Sequence, residues 1–244
     1  MRRHWKKIVG AVVVVIALIL GGSWFVAKVL NKAPAKLAPD DLIAALDATV
    51  PPDSVADSGP TSSQPSSRPA SDVTGLWRAV STSLVRYRVN ESINGFDTTA
   101  VGGTNQITGT ITIDGTRVRG AGFTVDMTTF HSDKSRRDAQ FAGRVMDVRK
   151  FPTATFNITT PILMGVIPVE GRTLETKATG DLTLRGTTRS VTFDVLAVRK
   201  NGKIGIMGNI PVVFADYGIP NPSFATVTTA DHGELEFIVV LARS

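Results

Sequence analysis

From Asp72 onward the chain alternates apolar and polar side chains with a period of two, a rhythm that suits a pleated strand and not a helix. Ile107, Ile111 and Ile113 share a face with Gly109 ahead of an Asp114-Gly115 turn. Phe123, Val125 and Met127 alternate with Thr124, Asp126 and Thr128, and Ala154, Phe156 and Ile158 with Thr155 and Asn157. Leu182 and Leu184 alternate with Asp181, Thr183 and Arg185, and Val191, Phe193, Val195 and Ala197 follow. Asn201-Gly202 then turns the chain into Lys203 to Met207, and Leu235, Phe237, Val239 and Leu241 close the series. With Leu84 to Val89 and Ile210 to Phe214 added, about eight strands joined by Gly, Asp and Asn turns predict an antiparallel barrel or sandwich. Ser132 to Val148, rich in Arg, Asp, Lys and Ala, breaks the rhythm. It predicts a short helix or two between strands, with Ser132 as the N-cap candidate.

The other end of the chain has a different constraint. Ile8 to Ala27 is a run of twenty uncharged residues; at about 1.5 Å rise per residue it would span roughly 30 Å, the thickness of a bilayer core. Trp5 and Trp24 stand near its ends, and Arg2, Arg3, Lys6 and Lys7 precede it. The positive-inside rule then predicts a cytoplasmic basic tail (1–7), a single-pass anchor (8–30) and an extracytoplasmic remainder. A cleaved signal peptide is the competing reading, with Ala33-Pro34-Ala35 as the small-x-small site; the apolar run exceeds the usual signal core, and proline falls inside that site. Residues 31–71 predict a flexible stalk. Pro39-Asp40-Asp41 could open a short helix through Leu46, and residues 51–71 are mostly Pro, Ser, Asp and Gly. Residues 72–244 form the β domain.

Composition narrows the chemistry. Cysteine is absent, which removes disulfides, thiolate metal sites and cysteine nucleophiles. Seven of the 27 Lys and Arg precede Asp40, leaving 20 basic residues against 21 acidic ones and a net of −1 for the rest, so no nucleic-acid partner is expected. Of the three histidines, His4 lies in the basic tail, His131 reads as a loop residue and His232 as a turn residue. No catalytic motif accompanies them, and neither an enzyme nor a metal site is expected.

Four blocks carry a resemblance. They are Phe123-Thr124-Val125-Asp126-Met127; Arg137-Asp138 with Phe151-Pro152-Thr153-Ala154-Thr155-Phe156; Gly180-Asp181-Leu182-Thr183-Leu184-Arg185-Gly186-Thr187-Thr188; and Asp216-Tyr217-Gly218-Ile219. In order and spacing they resemble the YceI-like family of exported bacterial proteins. That resemblance implies an eight-stranded lipocalin-like barrel holding a long isoprenoid chain, a polyisoprenoid or an isoprenoid quinone, and hints that Arg137 and Asp138 meet the ligand's head. A structural ion pair is the other reading of these two. The chain departs from the family in having Phe214 where an Arg is common and Gln140 where a His is common.

The inward candidates Phe123, Val125, Phe156, Ile158, Leu182, Phe193, Phe237 and Val239 would either line a lipid cavity or pack on one another as a solid core. The first outcome makes the protein a membrane-anchored lipid carrier. The second makes it a cell-surface structural or interaction module.

Overall fold

The computed structural model describes residues 33–48 and 73–244. The basic tail, the apolar run Ile8–Ala27 and residues 49–72 lie outside the described residues. Among the described residues no helix is long and apolar enough to cross a membrane.

Thirteen strands form one sheet: β1 (Gly75–Ala79), β2 (Leu84–Ile93), β3 (Phe96–Thr104), β4 (Ile107–Asp114), β5 (Arg117–Asp126), β6 (His131–Ser132), β7 (Thr153–Ile158), β8 (Ile162–Leu163), β9 (Thr173–Leu184), β10 (Thr187–Lys200), β11 (Lys203–Val213), β12 (Val227–Thr229) and β13 (His232–Arg243). Two of the long strands are interrupted. β1 and β2 lie end to end along β13, with Trp77 opposite Arg243, Leu84 opposite Ile238 and Arg88 opposite Glu234. β3 and β4 lie end to end beside them, with Thr104 opposite Val85 and Ile111 opposite Trp77. Taken this way, the order β1/β2, β3/β4, β5, β7, β9, β10, β11, β13 returns to β1/β2, giving an eight-stranded, antiparallel, closed barrel.

Local chemistry explains both the turns and the break. Asn94-Gly95, Arg185-Gly186 and Asn201-Gly202 each close a two-residue hairpin with both residues at positive φ, the twist that matches the flanking strands. Where β1 gives way to β2, the buried Ser83 hydroxyl donates to the Val240 carbonyl (3.3 Å) and accepts from the Val240 N–H (3.0 Å), standing in for a backbone pair.

The structure corrects several expectations. The Gly/Thr-rich strand β3 has no strong apolar alternation and was not expected. Met127 to Thr129 forms a 3₁₀ turn in place of continued strand. The insertion holds α2 (Ser135–Gln140), followed by a wider π turn over Phe141–Val145. Ser132 does not cap α2, whose N-cap position is Lys134; its N–H and hydroxyl instead donate to the Asp138 carboxylate at 2.8 and 2.6 Å.

The largest correction concerns the stalk. Residues 33–48 lie on the barrel's outer wall. The helix α1 (Pro39–Asp47) begins with proline and two acids, and the Asp41 carboxylate accepts the Ala38 N–H at 2.8 Å. Leu42 and Leu46, one turn apart, are completely buried against Val198, Ile238 and Val240. A Cβ on Gly205 would come within 2.7 Å of Leu42 and 2.9 Å of Leu46, so this glycine is the seat of the helix. Lys203 Nζ closes its C-terminus by donating to the carbonyls of Leu46 (3.1 Å) and Ala48 (2.8 Å). Upstream, the Pro34 and Ala35 carbonyls accept from Arg88 Nη2 (2.8 and 2.9 Å), and Ala35 also from Arg86 Nη2 (3.0 Å). Both guanidiniums pair with the buried Glu236, so the strap covers a desolvated Arg–Glu–Arg cluster.

Candidate functional site

The inward faces of the eight strands enclose an apolar cavity of about 170 Å³. All eight apolar candidates (Phe123, Val125, Phe156, Ile158, Leu182, Phe193, Phe237 and Val239) line it. The reason is the period of the strand: once one residue faces inward, every second one follows it. Phe156, Phe193 and Phe237 meet edge-to-face in the middle of the barrel, with centroids 5.3 and 5.7 Å apart. These rings fill part of the interior, and smaller residues such as Ala121, Ala154 and Ala178 leave the remainder open. Val73, Ile162, Met164 and Pro168 line its far end.

At the opposite end the cavity meets a second chamber of about 430 Å³; Met127, Phe130, Leu184 and Leu235 belong to both. This mouth chamber lies between the barrel rim, α2 with its π turn, and the loop from Gly218 to Val227. Tyr87, Phe130 and Phe141 stack at its base, with Tyr87–Phe141 and Phe130–Phe141 centroids both 5.0 Å apart. Gly102 makes room for the Tyr87 ring, because a Cβ there would lie 2.6 Å from it. Burial pushes the Tyr87 phenol up to about 12.

The mouth is polar on one side. Arg137 Nη2 donates to Glu91 Oε1 at 2.8 Å, and its Nη1 pairs with Asp133. Burial alone would lower the Arg137 pKa, but the charge and hydrogen bond of Glu91, helped by Asp133, hold it above its ordinary value. Gln140 Nε2 donates to the Pro222 carbonyl at 2.7 Å, tying α2 to the facing loop. Phe214 lines this chamber and is itself buried.

The structure separates the two polar candidates. Arg137 reaches the mouth chamber. Asp138 does not line it; its carboxylate is taken by Ser132. His131 is an exposed rim residue whose Nδ1 lies 3.7 Å from Asp138, and His232 pairs with Asp231 at 2.8 Å. Tyr217 is buried in the core, and Phe224, in the loop from Gly218 to Val227, lies in the open mouth. Sequence reasoning missed Tyr87, Glu91, Phe130 and Phe141. For two of these the signal was present: Tyr87, Val89, Glu91 and Ile93 alternate along β2, and that phase puts a carboxylate on the inward face at the rim.

A closed eight-stranded antiparallel barrel with an apolar interior and a polar mouth at one end has a lipocalin-like architecture. A family model described as a YceI-like domain matches residues 79–241, and the chain belongs to that family. It resembles two solved structures in fold. One is a polyisoprenoid binding domain from Saccharophagus degradans implicated in plant cell wall breakdown (TM-score 0.58, 12% identity, covering 70% of this chain and 99% of that one). The other is Burkholderia cenocepacia BcnA (TM-score 0.52, 21% identity, covering 65% and 95%). No curated protein matches the chain in sequence.

Proposed function

We propose that the protein is a membrane-anchored, extracytoplasmic carrier of an isoprenoid or similar amphiphile, with the tail in the barrel and the head at the mouth. The observation that carries this reading is an apolar cavity inside the barrel, lined from Val73 at its far end, that adjoins across Met127, Phe130, Leu184 and Leu235 a mouth chamber holding the Tyr87–Phe130–Phe141 stack and the Glu91–Arg137 pair. Membership of the YceI-like family supports it, as does the polyisoprenoid-binding description of the similar Saccharophagus domain. Each buried methylene contributes about 0.8 kcal/mol, so a long tail needs few polar contacts. Arg137 is paired with Glu91 and Asp133, and Lys134 and Arg136 also line the mouth, so a polar head would meet both hydrogen-bond donors and a carboxylate there. The work done is burial and release, without covalent chemistry. Ile8–Ala27 supplies the anchor, and the basic residues before it orient the barrel outward.

The rival reading, a tethered surface module, draws on the Phe156–Phe193–Phe237 cluster that occupies the barrel's centre. Solvent extraction and mass spectrometry of the purified full chain, with uptake of a fluorescent polyprenyl probe, separates the two. A co-purifying prenyl lipid or saturable uptake is expected; an empty protein that also ignores the probe belongs to the module.

A further inference from the structure

We propose that the barrel sits mouth-down on the bilayer that anchors it, so that lipid passes between membrane and cavity without crossing water. This rests on the anchored-carrier reading above, and its occupant is the lipid surface from which the anchor emerges. The first observation is the tether. Ala35 is fixed by Arg86 and Arg88, and Pro34 by Arg88. Five residues separate Ala33 from Ala27, the last residue of the uncharged run, and fully extended they bridge at most about 20 Å. Arg88 stands opposite Glu234, which lines the mouth chamber and faces Pro211 on β11. From that level the rim at Ile93 is five residues along β2, about 16 Å. The far end at Lys203 is eight residues along β11, about 26 Å and beyond the tether's reach. From Lys36 the strap runs away from the mouth, ending with Asp47 against Lys200 and Asn201 at the far hairpin.

The second observation is the rim itself. Phe224 and Phe96 are 60% and 46% exposed. The β2–β3 hairpin bearing Phe96 is joined to the Phe224 loop by the Asn94 N–H donating to the Thr226 carbonyl at 3.1 Å, so both rings belong to one ridge. Arg136 lies 6.0 Å from the Phe224 ring centroid, and Arg144 donates to the Ser223 carbonyl at 3.2 Å. Two exposed rings on one ridge, one of them beside Arg136 and Arg144, suit the headgroup layer, where aromatics bury and arginines meet phosphates. The second exposed apolar group, Leu163 at the end of β8 with Val166 and Val169 in the loop after it, lies at the far end.

The chain has no cysteine, so one introduced thiol labels uniquely. Full-length Asp97→Cys, Thr228→Cys and Val166→Cys would each carry an NBD fluorophore in phosphatidylethanolamine–phosphatidylglycerol vesicles. Emission at the two rim positions should rise several-fold over detergent-free buffer values and be quenched by doxyl-labelled lipid, while Val166 stays aqueous. Adding Phe224→Ser should reduce the rim signal. A signal at Val166 alone, or at no position, overturns mouth-down docking. If salt strips the chain from the vesicles, the anchor reading fails and the docking proposal with it. Rim insertion in a protein that carries no lipid would sink the carrier and leave the docking intact.

Discussion

Tyr87 links the mouth of the barrel to the pH dependence of the whole fold. The chain has only two tyrosines, Tyr87 and Tyr217, and burial raises both phenols. A phenol whose folded value exceeds the unfolded value of about 10 stabilises the protein fully below pH 10. That contribution is lost as pH climbs through the folded value. For Tyr87, raised to about 12, the loss is roughly 2–3 kcal/mol by pH 12. The Tyr87 share of the phenolate absorbance, read as the difference from Tyr87→Phe, should therefore stay silent through pH 10 and appear together with unfolding. Tyr87→Phe should remove most of the alkaline loss. A reversible phenolate titration near pH 10 in folded protein that Tyr87→Phe abolishes would mean that water fills the mouth chamber. Why Tyr87 points inward was legible, since β2 alternates; that Gly102 clears space for its ring was not, because glycine has no face to read.

At the scale of the element, α1 tests whether the strap belongs to the domain. Leu42 and Leu46 have no exposed surface, and truncating such a side chain typically costs about 2–5 kcal/mol. Leu46→Ala cannot cost more than the docking energy of one short helix, because undocking is the cheaper escape. It should therefore lower the urea midpoint modestly and strongly increase hydrogen exchange over residues 38–48, while barrel amides stay protected. Equal loss of protection in β9 and β10 would show that the helix is required by the whole barrel. The leucine pair was visible in the sequence; its partner was written in β13, where Phe237-Ile238-Val239-Val240-Leu241 is apolar on both faces. An uninterrupted apolar run in a strand signals burial on both sides, and here the outer side is covered by α1.

At the scale of the whole molecule, function turns on how much of the barrel the protein leaves unfilled. Ala178 faces the cavity opposite Phe193 and is nearly fully buried. Ala178→Trp should occupy the open space beside the central rings at a cost of about 1–3 kcal/mol. The expected result is a folded barrel, by circular dichroism, that no longer takes up polyprenyl probe. Undiminished uptake would mean that the ligand lodges in the mouth chamber alone.

The sequence by itself determined the strand periodicity, the inward phase of the apolar residues, the helical insertion and the turns after Asp114 and at Asn201-Gly202, because each follows from residues adjacent along the chain. Only the tertiary structure decided that two interrupted strands complete the ring, and that Asp138 turns back to Ser132 while Arg137 reaches Glu91. It alone also decided that part of the expected stalk is a strap on the wall. Those outcomes depend on which distant segments meet, as when Pro34 lies over Arg88 and Leu46 over Gly205, and spacing along one strand carries no record of such encounters.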